Sequence, residues 1–343
     1  MSDLTLLSLA SAPISASPGV HPWHPRSRPD TVGSMVTSST RASRTAPAPN
    51  WAGVGTCTLS ETDLAIPHPA PRRLPYHLLA LTTAGHGTVE IDFVLQRCRP
   101  GTLLWIRPGQ AVRFGVEPGL DATLVSWDRE LLSSAGVSGV PVDDLPGPTR
   151  WQLAGEDEDA VINEVAQLGV DCSRHSSGAV AGALLRHQLA VLLLRIALLA
   201  AGDDQAATTG SESRTFARFR RDLEDGHPHS RRVEDYAARL GCSVRTLTRA
   251  CLAVTGRTAK QVVDDRVALE AQRLLACTEL SVAEIGRRLG FGEPTNFGRF
   301  FHREVGLSPG AFRAGAAAAM PAQVDDDVAD IGARVPAQRL ATD

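Results

Sequence analysis

Lysine is nearly absent from this chain of 343 residues: Lys260 stands alone, and every other fixed side-chain cation is an arginine. Arginine abundance by itself therefore partly reflects residue usage. Cysteine is sparse too. Cys57, Cys98, Cys172, Cys242, Cys251 and Cys277 contain no C-x-x-C pair and no metal-ligand spacing, so local sequence offers no zinc site. Cys251 and Cys277 occupy apolar positions of helical patterns, where a thiol packs as a small hydrophobe. Reduced thiols are the expectation. Long hydrophobic runs are missing as well. The most apolar stretch, Leu189–Ala201, is about 13 residues long and contains Arg195, against the ~20 residues that a bilayer requires. No basic segment precedes the short apolar run near Met1, so no signal peptide is expected. These absences point to a cytoplasmic protein without a membrane partner.

What is present is more informative. An apolar fraction of 43% is enough for a sizeable core, and the length suits two domains with tails. The net charge of −3 conceals an asymmetry. Between Ser213 and Gly315 there are 18 Arg/Lys and 12 Asp/Glu, about +6, which leaves about −9 for the rest. A basic C-terminal module suggests a polyanionic partner, although basic lobes also occur on enzymes.

Along the chain, residues 1–50 are rich in Pro, Ser, Thr and Ala without periodicity and read as a disordered arm. A start at Met35 would remove most of it. Residues 316–343 read as a second polar tail, including Asp325, Asp326 and Asp327. From Trp51 to Asp128, β-prone runs at Tyr76–Thr82, Thr88–Leu95, Thr102–Ile106, Ala111–Val116 and Thr123–Trp127 alternate with Gly and Pro-Gly turns. Such spacing predicts a small β-barrel or sandwich. Asp157–Gly169 and Gly178–Ala201 then read as helices. In the second, Leu185, Leu189, Leu192, Ile196 and Leu199 recur at steps of 4, 3, 4 and 3. That seam either covers the barrel and its neighbouring helix or joins two copies; a homodimer is the expectation. Residues 51–202 thus form one domain, and 203–212 the linker to the next.

The C-terminal module, residues 213–315, contains an internal repeat at an offset of 49–50 residues. Leu240-Gly241 is answered by Leu289-Gly290, Leu247 by Phe297, Arg249 by Arg299, and Gly256 by Gly306. Each copy reads as helix, glycine turn, helix. Ser243 is placed to cap Val244–Val254. Ser281 and Glu284 have capping-box spacing, and Pro294 suits a helical first turn. Thr258 opens a connector, Ala259–Cys277, of about 28 Å at 1.5 Å per residue. One turn of B-DNA is about 34 Å, so this rod could place two recognition helices near successive major grooves. A helical bundle without a DNA role is the plainer alternative, and the two capped units in register weigh against it.

At this point the sequence resembles the AraC/XylS family of transcription regulators. The resemblance rests on Asp235-Tyr-Ala-Ala-Arg-Leu-Gly-Cys-Ser-Val-Arg-Thr-Leu-Thr-Arg249 and on Gly290-Phe-Gly-Glu-Pro-Thr-Asn-Phe-Gly-Arg-Phe-Phe-His-Arg303. It continues through Gly306-Leu-Ser-Pro309 to Phe312-Arg313. It implies a seven-helix DNA-binding domain with one long central helix; Cys251 departs from the family's usual Phe. Double-stranded DNA is the implied partner. The resemblance and the i, i+3, i+4 spacing make Arg245, Thr248 and Arg249 candidates for base contact, with Thr295, Asn296 and Arg299 as their counterparts. Ser243, His302 and Arg303 are candidates for the DNA backbone. Leu247, Phe297 and Phe301 read as core.

More weakly, Leu78–Thr88 and Pro100–Gly109 resemble the cupin-type sensor barrel of such regulators. The expected fold is therefore α+β and multidomain: a cupin-like β-barrel followed by helices, then an all-α domain with two helix-turn-helix units joined by a long helix. His77, Trp105, Arg107, Arg113 and Trp127 are candidates for an effector pocket, subject to strand register. A metal-dependent cupin enzyme would need clustered His and Glu ligands on adjacent strands. Here His77 and His86 are isolated, and His227-Pro-His229 lies between helices, read as a solvated loop. No metal, cofactor or catalytic residue is expected. The alternatives are a regulator whose barrel only dimerises, or a metal enzyme fused to a DNA-binding domain. RNA polymerase becomes a partner if the protein activates.

Overall fold

The computed structural model describes residues 48–66, 68–115, 119–131, 150–204 and 211–318. The expected N-terminal arm up to residue 47, residues 205–210 of the linker and the tail beyond residue 318 lie outside them. Nine strands are found among the described residues: β1 (Val54–Thr58), β2 (Arg72–Arg73), β3 (His77–Ala84), β4 (Gly87–Ile91), β5 (Val94–Cys98), β6 (Thr102–Ile106), β7 (Ala111–Phe114), β8 (Asp121–Trp127) and β9 (Arg150–Gln152). They form two antiparallel sheets, ordered β1-β8-β3-β6-β9 and β2-β7-β4-β5. The form is cupin-like, but the two sheets do not close into one barrel.

Strand parity explains the layers. From β3, β6 and β8, Leu78, Ala80, Leu104, Ile106 and Leu124 meet Val89, Ile91, Val112 and Phe114 of the second sheet. The alternate positions Leu79, Leu81, Leu103, Trp105, Val125 and Trp127 face the other way, into a second cluster. Both faces of β3 are covered, so its first six residues are all buried and no polar alternation appears.

The run expected as one strand, Thr88–Leu95, is two strands and a turn. Asp92 and Phe93 take positive φ of 51° and 67°, forming the two-residue bend between β4 and β5. Hairpin turns of that kind usually signal themselves with Asn-Gly or Asp-Gly. Here the turn is held from outside: Asp92 accepts from the Ala111 amide at 3.0 Å and from Gln110 Nε2 at 2.6 Å.

Helices α1 (Gly155–Arg174) and α2 (Ala179–Asp204) cover the outer face of the first sheet. This overturns the expected dimer seam. Leu185, Leu189, Leu192 and Ile196 are at most 1% exposed, packed on Val161, Val165, Leu168 and the sheet, with Leu199 half-buried beside them. A sheet with an apolar outer face must bury it, and this stripe is what lies on it. The opposite face of α2 carries exposed Val180, Leu184, Val191, Leu194 and Leu198. With His187 these recur at steps of 4, 3, 4, 3 and 4, a second seam that the first one masked in the sequence. Residues 179–199 have a mean hydropathy of 1.6, enough to cross a membrane by composition and length. Packing of one stripe on the sheet accounts for part of that apolarity, the exposed seam carries the rest, and Arg195 pairs with Glu164 at 3.1 Å.

Seven helices follow: α3 (Ser211–Gly226), α4 (Val233–Arg239), α5 (Val244–Thr255), α6 (Ala259–Cys277), α7 (Val282–Arg288), α8 (Pro294–Val305) and α9 (Pro309–Ala316). Their single core gathers Phe216, Phe219, Tyr236, Leu247, Val263, Ile285, Phe297 and Phe301 around α6. Cys251 is fully buried within it. His227 is not the solvated loop residue expected. It is 6% exposed, and its Nδ1 lies 2.8 Å from the Glu224 carbonyl, while His229 stays exposed.

Candidate nucleic-acid interface and effector region

Each helix pair is built as the repeat suggests. Gly241 and Gly290 turn the chain at φ 67° and 75°, a conformation that a Cβ disfavours. Ser243 Oγ accepts from the Thr246 amide at 3.0 Å, capping α5. Ser281 and Glu284 form a reciprocal capping box on α7, Thr258 and Gln261 form another on α6, and Pro294 begins α8. Gly256 and Gly306 end α5 and α8 in left-handed conformation. The two units are also braced to each other. Arg231 lies 3.7 Å from the Phe291 ring centre and donates to the Gly290 carbonyl at 3.0 Å. Arg313 donates to the Leu275 and Leu280 carbonyls, at 3.1 and 2.5 Å, tying α9 to the end of the connector.

Burial separates the two faces of the candidate recognition helices. On α5, Leu247, Ala250 and Cys251 are buried, whereas Arg245 and Arg249 are exposed and Thr248 is half-buried. On α8, Phe297, Phe300 and Phe301 are buried, whereas Thr295, Asn296 and Arg299 are exposed. One partner was not legible in the sequence: Glu212, in the first turn of α3, pairs with Arg249 at 3.2 Å. Among the backbone candidates, the Ser243 hydroxyl is engaged as a cap, and His302 is exposed. Arg303 pairs with Glu304 at 2.6 Å and approaches Asp264 at 3.6 Å.

The helical module sits on the outer face of the second sheet. Arg273, on α6, reaches the β4–β5 turn and donates to both carboxylate oxygens of Asp92, at 2.8 and 2.7 Å. Glu270 accepts from Arg73 at 2.9 Å and lies near Arg266 and Arg273, and these cations hold its carboxyl below the usual range against the opposing effect of burial. Phe93 meets Phe312 edge to face, with centroids 5.2 Å apart. The signal missed was a charged trio, Arg266, Glu270 and Arg273, running beside the buried stripe of α6. Nothing in the sequence named their partners.

The effector candidates separate into two groups. Arg113 alternates with the inward-facing Val112 and Phe114, so it points out of the sandwich. It binds Glu90 at 2.5 Å and donates to the Ala318 carbonyl at 2.8 Å, beyond the end of α9. It therefore lines no cavity in the sandwich, contrary to expectation. His77, Trp105, Arg107 and Trp127 do come together, but on the helix-covered outer face of the first sheet rather than between the sheets. His77 stacks on Trp127 at 4.9 Å, Trp105 Nε1 donates to His77 Nδ1 at 3.2 Å, and the Arg107 guanidinium lies 4.9 Å from the Trp105 ring centre. Register decided this: His77, Leu79 and Leu81 share one face of β3. Among the described residues no group of three or more His, Cys, Asp or Glu is gathered as metal ligands would be.

Residues 59–139 match the AraC-like ligand binding domain family, and residues 236–315 match a helix-turn-helix domain family. The HTH-type transcriptional activator RhaS of Salmonella arizonae is 30% identical over 249 residues, which cover 70% of this chain and 86% of the relative. RhaS of Klebsiella pneumoniae is 29% identical over 183 residues, 53% of this chain; that match spans 64% of the relative, under two thirds of its length. Among solved structures, the DNA-binding domain of AdpA, a global transcriptional factor in complex with a target DNA, is 35% identical. It covers 31% of this chain and 92% of its own, with a TM-score of 0.27.

Proposed function

Because the chain belongs to the AraC family of transcription regulators, we propose that it is a cytoplasmic, sequence-specific regulator whose residues 213–315 read DNA and whose residues 51–202 respond to a small-molecule effector. One observation carries the reading. Two glycine-turned, capped helix pairs share a 19-residue connector, and each presents exposed polar side chains on its second helix. Arg245, Thr248 and Arg249 are assigned to one major groove, and Thr295, Asn296 and Arg299 to the next. Arginine supports bidentate recognition of guanine and asparagine that of adenine. Ser243, His302 and Arg303 are assigned to the phosphates. Selection of bound sequences from random duplex DNA by the full chain, followed by competition against scrambled duplexes, tests this. Enrichment of a site with two half-elements about one helical turn apart is expected; no enrichment overturns it.

The exposed seam of α2 supports a homodimer, formed through Leu184, Val191 and Leu198 rather than through the buried stripe. The chemistry proposed is binding, not catalysis. If the regulator activates, RNA polymerase is the further partner. A second reading, in which the sandwich binds nothing and only positions the DNA-binding module, is favoured by the Asp92–Arg273 contact. Operator affinity that is unchanged by any of a broad set of metabolites would support it.

A further inference from the structure

Three buried N–H donors lie in the layer between the first sheet and helices α1 and α2 with no acceptor. His77 is 2% exposed, and its Nδ1 is occupied by the Trp105 indole N–H. A neutral ring that accepts at Nδ1 carries its proton at Nε2, and that N–H has no hydrogen-bond partner. The indole N–H groups of Trp127, fully buried, and Trp151, 7% exposed, are likewise unpartnered. The rings of His77 and Trp127 are stacked 4.9 Å apart and only 7° from parallel, so both orphan donors are carried by one stacked pair.

The charges that act on the His77 ring are positive. Arg107 lies over Trp105, and both Arg107 and Arg129 act on His77 as repelling charges. Burial first, then those two arginines, hold the imidazole down to about 3, so it stays neutral. A cation does not suit this set, because the polar atoms offer protons and no lone pairs. Water suits it poorly: its own two protons need acceptors, and the one acceptor that these rings offer, His77 Nδ1, is taken. A carboxylate accepts only, and its two oxygens can take one N–H from each ring of the stacked pair.

We propose that the His77–Trp127 face of the first sheet, beneath helices α1 and α2, binds the carboxylate of a small acidic molecule, with Arg107 as the accompanying cation. The proposal rests on the effector-responsive reading and names the effector's chemical class and its place, outside rather than between the two sheets. Arg107 provides the route onward. Its charge is felt by Arg220 and Glu224 of α3 and by Asp92, the partner of Arg273. An anion at Arg107 therefore alters the field in which the sandwich meets the DNA-binding module.

The test uses the full chain, with acetate, propionate and butyrate as probes and acetamide, propionamide and butyramide as neutral counterparts, at ionic strength matched with chloride. Thermal unfolding and titration calorimetry are the readouts. At least one carboxylate is expected to raise Tm while its amide does not. Trp127→Phe, which keeps an aromatic ring on His77 and removes one donor, should weaken binding by roughly tenfold or more. Arg107→Gln should weaken it without touching the stacked rings, which keeps the test open should the first variant fail to fold. Equal responses to acids and amides, no response to any acid, or full binding in both variants would overturn the assignment. A neutral metabolite that shifts operator affinity where no carboxylate does would sink the assignment and leave the effector reading standing. Carboxylate binding that is lost in the variants yet leaves operator affinity unchanged would do the reverse.

Discussion

Asp92 and Arg273 are 181 residues apart in sequence and meet through two parallel hydrogen bonds of 2.8 and 2.7 Å, with side chains only 13% and 9% exposed. The carboxylate sits on a turn with positive φ, and the guanidinium projects from the helix that joins the two DNA-binding units. This ion pair, with Arg73–Glu270 beside it, fastens the connector to the sandwich.

Removing one member of that pair strands the other. Asp92→Ala is expected to destabilise the chain by about 3–5 kcal/mol, because the buried guanidinium loses its bidentate partner. Glu270 near the same arginine softens the loss. A double-mutant cycle with Arg273→Met, followed by urea unfolding, should return a coupling of about 1–3 kcal/mol. Additive losses would mean that the contact is not energetically linked.

Base reading makes a different demand. Arg249→Ala should cost about 1–3 kcal/mol on a selected operator and much less on random duplex. Gel-shift competition checks it, and equal losses would assign Arg249 to the backbone instead. Glu212→Gln frees Arg249 from its ion pair, so a modest gain in affinity is expected, under about 1 kcal/mol for an exposed pair.

Arg303→Glu should lower affinity for all sequences alike and flatten the dependence of log affinity on log salt, by roughly one to two contacts' worth of counterions. An unchanged salt slope would remove Arg303 from the phosphate set.

The two faces of α2 separate assembly from folding. Val191→Glu with Leu198→Glu should convert a dimer to folded monomers in sedimentation, since both side chains are exposed. Leu192→Glu should instead unfold the sensor layer, because that residue is fully buried. A dimer that survives the first pair rules out this seam.

His77 sets an acid limit. Its folded pKa is lowered from about 6.5 to about 3, chiefly by burial, so the unfolded chain binds the extra proton first as pH falls. This contribution to stability is complete above pH ~6.5 and declines by about 1.4 kcal/mol per pH unit until near pH 3. His227, lowered by burial and by Arg266, acts in the same direction. Urea unfolding of His77→Gln between pH 7 and 4 should show a shallower fall than that of the native chain.

What could be read from the sequence was whatever depends on neighbours a few residues away. The caps at Ser243, Thr258 and Ser281, the glycine turns, the connector and the split between Leu247 or Phe297 and their exposed neighbours follow from helical periodicity and short-range hydrogen bonding. The repeat supplied two copies of the same pattern, and the family resemblance with the i, i+3, i+4 spacing named the candidate DNA-reading positions on them. Tertiary structure decided everything that depends on which face meets which. Two heptad seams overlap on α2, and only the apolar outer face of the first sheet selects the one that is buried. Strand parity sent His77, Trp105 and Trp127 to the helix side and Arg113 to the side of the DNA-binding module, a choice that a single-residue slip would reverse. The Asp92–Phe93 turn carries no glycine to announce it, because its conformation is held by Gln110 and Ala111 at the start of β7. Local patterns made the helix pairs; long-range contacts set what those pairs are fastened to.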